Sequence, residues 1–197
     1  MTEPETRPAA PSVLRSALLG ALCFTAASVP VYATVAFGEK WMYRNLGIPG
    51  AYAVWTVLFL ALGGVALIPV LPRPRRIARW FLIFGGSFFL YAAAWVAAYF
   101  SLRGSLGEWV GAGSGCVLLG FALAFGFGAL RRIPAIVLVL FAANTLGYFA
   151  GSKLFYTVRG AEGMLLWGVA HGMGLGAGLG AAIALASGVR PSEEPDA

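Results

Sequence analysis

Charge is what this chain has least of. Aspartate, glutamate, lysine and arginine make up 11% of its 197 residues, against 59% hydrophobic residues, and its mean hydropathy is +0.80. A water-soluble fold of this size needs far more polar surface, so a soluble domain is excluded. Histidine is nearly absent too. His171 stands alone, which excludes haem ligation by two histidines. The two cysteines, Cys23 and Cys116, both fall inside apolar runs, where they read as small hydrophobic residues with no metal-ligand spacing. No cofactor and no metal is expected. The acidic residues Glu3, Glu5, Glu39, Glu108, Glu162, Glu193, Glu194 and Asp196 all stand in tails, loops or span edges. An intramembrane carboxylate, the usual tool of a proton-coupled carrier, is therefore missing, as is the buried lysine of a retinal protein.

What is present is apolar residues in blocks of about 20, the length that crosses about 30 Å of hydrocarbon at ~1.5 Å per residue. Six spans are predicted, over residues 12–37, 51–71, 78–100, 109–130, 133–151 and 163–187. The expected fold is an all-α, polytopic six-helix membrane bundle. Residues 1–11 and 188–197, rich in Pro, Glu and Ala, read as disordered cytoplasmic tails. The net charge of +6 arises from short basic clusters between apolar blocks, which is a topology signal, and nucleic acid is set aside. Arg7, Arg15, Arg73, Arg75, Arg76, Arg79, Arg131, Arg132 and Arg190 fall on one side. Lys40, Arg44, Arg103, Lys153 and Arg159 fall on the other. The positive-inside rule then places both termini in the cytoplasm, as in a bacterial inner membrane. No internal repeat is apparent in this reading, and no inverted symmetry between the halves.

His171 is the one ionisable group well inside a span, and a polar group in lipid is a functional candidate by default. The other polar groups within spans are Ser28, Thr34, Thr56, Ser87, Ser114, Asn144 and Thr145. Hydroxyls are readily satisfied by their own helix backbone, so most of these read as structural. Ser114 differs because Gly113 and Gly115 flank it and leave its hydroxyl open to approach. It lies six residues from Glu108, about 9 Å of helix, and His171 lies nine from Glu162, about 14 Å. Both groups therefore fall in the outer half of the bilayer on helices running the same way. His171, Gly174 and Gly178 form one stripe, which predicts close packing of the sixth span on the fourth. A Ser–His dyad at that depth would activate the serine as a nucleophile.

These residues resemble the rhomboid family of intramembrane serine proteases. Ala170-His171-Gly172-Met173-Gly174-Leu175-Gly176-Ala177-Gly178 matches that family's Ala-His-x-x-Gly-x-x-x-Gly, and Ser114-Gly115 resembles its Gly-x-Ser-Gly. The sequence departs from the family at Ala112, and at Ala51-Tyr52-Ala53-Val54-Trp55, where the family carries His-x-x-x-Asn. The resemblance implies an intramembrane peptidase with Ser114 as nucleophile and His171 as base. Gly113, Gly115 and Asn144 would support the oxyanion, and Gly174 and Gly178 the packing. The partners would be a transmembrane protein substrate or client, and the lipid bilayer. The alternatives are a non-enzymatic relative that binds transmembrane segments, a small carrier, or a subunit of a larger complex. A weaker resemblance, to exosortase-like transpeptidases with a membrane cysteine and histidine, points to Cys116. That family's arginine after its Asn-x-x stretch is Gly147 here.

Overall fold

The structure is a computed structural model that describes residues 12–71 and 77–188. The tails and the basic residues Arg73, Arg75 and Arg76 named above lie outside the described residues, apart from the tail's first residue, Gly188. Among the described residues there is no strand. The elements are α1 (Val13–Ala66), a 3-10 turn (Ile68–Val70), α2 (Ile77–Leu102), α3 (Gly104–Phe127), a second 3-10 turn (Leu130–Arg132), α4 (Ile133–Val158) and α5 (Gly160–Ser187). All five long helices are long and apolar enough to cross a membrane.

The first helix is not one rod. Its 54 residues would extend about 80 Å if straight. At Gly47 the backbone takes φ 67° and ψ 175°, a conformation nearly confined to glycine. The chain then folds back, so that Phe24 stacks on Phe59 at 6.0 Å between ring centroids and Tyr43 meets Trp55 at 5.9 Å. The predicted loop of residues 38–50 is therefore helical except around this kink. Its charged and aromatic residues continue the helices beyond the apolar stretch. The same correction applies at residues 101–108 and 152–162, where the loops shrink to single reversals at Arg103 and Arg159.

Each limb packs antiparallel to the next, and the last closes onto the first. The second limb of α1 meets α2 where Trp80 Nε1 donates to Gly64 O at 2.8 Å. Along α2 and α3, Trp95 covers Gly111 and Tyr91 covers Gly115. Trp109 of α3 stacks on Phe149 of α4 at 4.5 Å. Gly147 of α4 nestles against Ala170 and Gly174 of α5, and Gly20 of α1 against Gly176 and Gly180. With no water to expel, such close backbone approaches hold membrane helices together. Gly174 and Gly178 thus pack on α4, against Gly147 and Leu140, and not on the helix bearing Ser114 as the stripe suggested.

A repeat underlies this ring, contrary to the sequence reading. Gly47, Arg103 and Arg159 share one backbone conformation and lie 56 residues apart, 47 to 103 and 103 to 159. Around the last two, Tyr99-Phe100-Ser101-Leu102-Arg103-Gly104-Ser105-Leu106-Gly107 parallels Phe155-Tyr156-Thr157-Val158-Arg159-Gly160-Ala161-Glu162-Gly163. The buried faces of the leading limbs also match. At the same 56-residue offset, the buried Phe24 and Ser28 fall on Trp80 and Phe84 of α2, and these on Ile136 and Leu140 of α4. The fold is three helical hairpins with their reversals at one end. At the other end the core is apolar, built from Phe84, Leu119, Leu123, Ile136, Leu179 and Ile183.

Candidate functional site

The polar groups gather in the half of the core nearer the reversals. His171 of α5 is 7% exposed and engages two other helices. Its Nδ1 lies 3.1 Å from the Tyr32 hydroxyl and its Nε2 lies 3.3 Å from Asn144 Oδ1. The Tyr91 hydroxyl donates to the same Asn144 oxygen at 3.1 Å. One protonation pattern satisfies all three contacts. Asn144 Oδ1 can only accept, so the ring proton sits on Nε2, and Tyr32 donates to the free lone pair on Nδ1. The Asn144 amide nitrogen is buried with no partner. The fully buried thiol of Cys116 lies beside the Asn144 side chain.

Aromatic rings close the space around the histidine. Tyr32, Phe59 and Tyr148 stand edge-on to the imidazole at 5.9, 6.3 and 6.0 Å. Tyr148 also donates to Glu108 Oε1 at 3.3 Å, linking the cluster to the half-buried carboxylate at the reversal end. Every long helix contributes: Tyr32 and Phe59 from α1, Tyr91 from α2, Cys116 from α3, Asn144 and Tyr148 from α4, His171 from α5. Helix phase explains the grouping. Ala112, Cys116, Leu119 and Leu123 are all buried and mark the inward face of α3.

Ser114 does not share that face. It stands two residues from both Ala112 and Cys116, about 200° around the helix. Its hydroxyl donates to Val110 O at 2.7 Å and lies 3.5 Å from Gly111 O. Gly113 faces outward beside Phe141, and Gly115 sits under the Tyr91 ring. Of the residues singled out from sequence, the structure brings Asn144 and His171 together and leaves Gly113, Ser114 and Gly115 apart from them. It adds Tyr32, Tyr91 and Tyr148, which the sequence reading passed over. The signal was available, since Tyr32 and Tyr91 both lie well inside predicted spans and away from an interface. Among the described residues, no three His, Cys, Asp or Glu side chains gather as a metal site would require. The chain matches no family model, no curated protein and no solved structure.

Proposed function

We propose that this chain is an integral membrane thiol enzyme of the peptidase or transpeptidase class, with Cys116 as nucleophile, His171 as acid and base, and Asn144 as the residue that serves both. The observation that carries this reading is the position of Asn144. Its oxygen holds the imidazole through Nε2, and its amide nitrogen is buried without a hydrogen bond of ordinary geometry, the Cys116 thiol being the group set against the side chain. In lipid such an unpaired group costs several kcal/mol unless something accepts from it. An acyl oxygen bearing negative charge is an acceptor of that kind. The weaker of the two resemblances supports the same assignment. The arginine of that family cannot stand at position 147, because a side chain there would meet Ala170 O at 2.6 Å and Gly174 Cα at 2.8 Å. The Asn144 amide takes over the stabilisation of the oxyanion.

The thiol proton passes to His171 as sulfur adds to the carbonyl carbon of a peptide bond. The protonated imidazole then gives that proton to the departing amine, leaving a thioester on Cys116. Water or a second amine takes the acyl group and returns the thiol. At rest Nε2, on the Asn144 side, carries the ring proton and Nδ1 accepts from Tyr32. Tyr32 therefore swings aside, and the imidazole turns about its Cβ–Cγ bond to bring the free Nδ1 to the thiol before it accepts the proton. In this reading the chain crosses the membrane six times, counting both limbs of α1. Its termini lie in the cytoplasm and the reversals on the outer side, where a membrane-anchored polypeptide enters past Tyr148.

The Ser114 reading requires α3 to turn by about 200°, against the packing of Gly111 on Trp95 and Gly115 on Tyr91. A non-enzymatic role, in which the cluster only fastens helices, is favoured by one observation: both ring nitrogens are already engaged. Alkylation of the purified full chain by a small neutral thiol reagent separates the readings. Cys116 should lose at least about ten-fold in rate in His171→Ala, because the unassisted thiol is the weaker nucleophile. The half-buried Cys23 serves as the internal standard. Equal Cys116 rates with and without His171 would leave only the fastening role.

A further inference from the structure

On the outer surface of the bundle, a groove of about 620 Å³ runs along the seam between α3 and α4. Gly113, Val117 and Phe121 line one wall, and Pro134, Val137 and Phe141 the other. From Gly113 to Phe121 is about 12 Å along the helix, a little under half the hydrocarbon thickness. The floor at Gly113 is open, since a Cβ there would meet nothing nearer than Phe141 at 3.9 Å. The groove ends beside Ile133 and Pro134, the first residues of α4. The turn immediately before them carries Arg131 and Arg132, both exposed. No hydrogen bond or ion pair engages either guanidinium among the described residues, and both stand where the unpaired amides and dipole of α4 favour an anion. Guanidinium groups suit phosphate oxygens in paired geometry.

A slot without polar atoms, continuous with a doubly positive mouth, has the chemistry of one ligand class. We infer that the α3–α4 groove binds an anionic phospholipid, one acyl chain lying along Gly113 and Val117 and the phosphate on Arg131 and Arg132. A zwitterionic lipid fills the slot equally well but brings no net charge to the arginines. This site is separate from the Cys116 cluster: Val117, at the centre of the slot, stands about 100° around α3 from Cys116 and is exposed where Cys116 is buried.

The test uses the full chain, delipidated in mild detergent and titrated with phosphatidylglycerol or phosphatidylcholine, with bound lipid counted by native mass spectrometry. Phosphatidylglycerol should be retained with a preference on the order of ten-fold, since each arginine near an anionic headgroup adds a few-fold. Arg131→Gln with Arg132→Gln should abolish the preference while both lipids still bind. Gly113→Leu should weaken both lipids alike, and the open floor makes that variant safe for folding. Arg103→Gln with Arg159→Gln, at the other end of the bundle, should change nothing. Equal retention of the two lipids by the unmodified chain would overturn the inference. So would a preference that survives the double glutamine substitution, or displacement of the lipid by inorganic phosphate at equal concentration.

Discussion

The hairpins α2–α3 and α4–α5 share a turn, a strained arginine and a packing glycine, yet they distribute bulk in opposite ways. In the first, the large residues stand on the leading helix and the glycines on the returning one: Trp95 over Gly111, Tyr91 over Gly115. In the second, each equivalent position is transposed. Gly151 lies against Trp167, and Gly147 stands at the level of His171. The transposition places the only histidine on the inner helix, α5, and clears α4 to approach it closely. One scaffold therefore yields the Asn144–His171 pair from one copy, while the other lends Tyr91 and Cys116 to the cluster around it.

Backbone contact in the second hairpin is the first place to break the comparison. Gly174→Val drives a side chain into Gly147 Cα and should cost roughly 3 kcal/mol or more, the upper range for forced overpacking. Gly115→Ala, which meets the Tyr91 ring at 2.8 Å and its carbonyl oxygen only at 3.2 Å, should cost less. Thermal unfolding in detergent gives both values, and equal losses would remove the distinction between the hairpins.

The site itself comes next. Asn144→Leu leaves the His171 Nε2–H and the Tyr91 hydroxyl unpaired and should destabilise by about 1–3 kcal/mol for each group stranded. Tyr91→Phe removes a single donor and should cost about 1 kcal/mol. If the two changes matched, Asn144 would not be the hub of the cluster.

The smallest effect tests what the two hairpins share. Arg103 and Arg159 hold φ of 55° and 60°, with extended ψ, a region that costs a side chain of order 1–3 kcal/mol. Arg103→Gly and Arg159→Gly should therefore each stabilise the protein, by similar amounts of about 1 kcal/mol after glycine's extra chain entropy is counted. Unequal or unfavourable changes would mean that the two turns are alike in sequence only.

Much of the fold was legible because lipid leaves few choices: apolar runs of the right length become helices. The reversals were harder to place, since residues such as Glu39 to Asn45 continue a helix past the point where hydropathy ends. The repeat was hidden by the transposition, which puts Trp opposite Gly at equivalent positions and leaves only the turns alike. For the site, His171 and Asn144 stood out as rare polar groups in lipid. The position of Ser114 relative to His171 was not legible from its motif, because a short motif carries no helix phase. The buried residues Ala112 and Cys116, four apart, fix that phase, and they put the thiol inside and the hydroxyl outside. Tyr148 stands three residues from a predicted span end, where an aromatic residue reads as an interfacial anchor, whereas Tyr32 and Tyr91 lie inside their spans and carry no motif that marks them.

The central claim is that α3 presents Cys116, and not Ser114, to the histidine. Treating one preparation of the purified chain with a small thiol-directed electrophile and a serine-directed phosphonate, then mapping both adducts by mass spectrometry, tests this most directly. The expected result is a His171-dependent adduct on Cys116 and none on Ser114. A His171-dependent phosphonate adduct on Ser114, with Cys116 unmodified, would contradict the account.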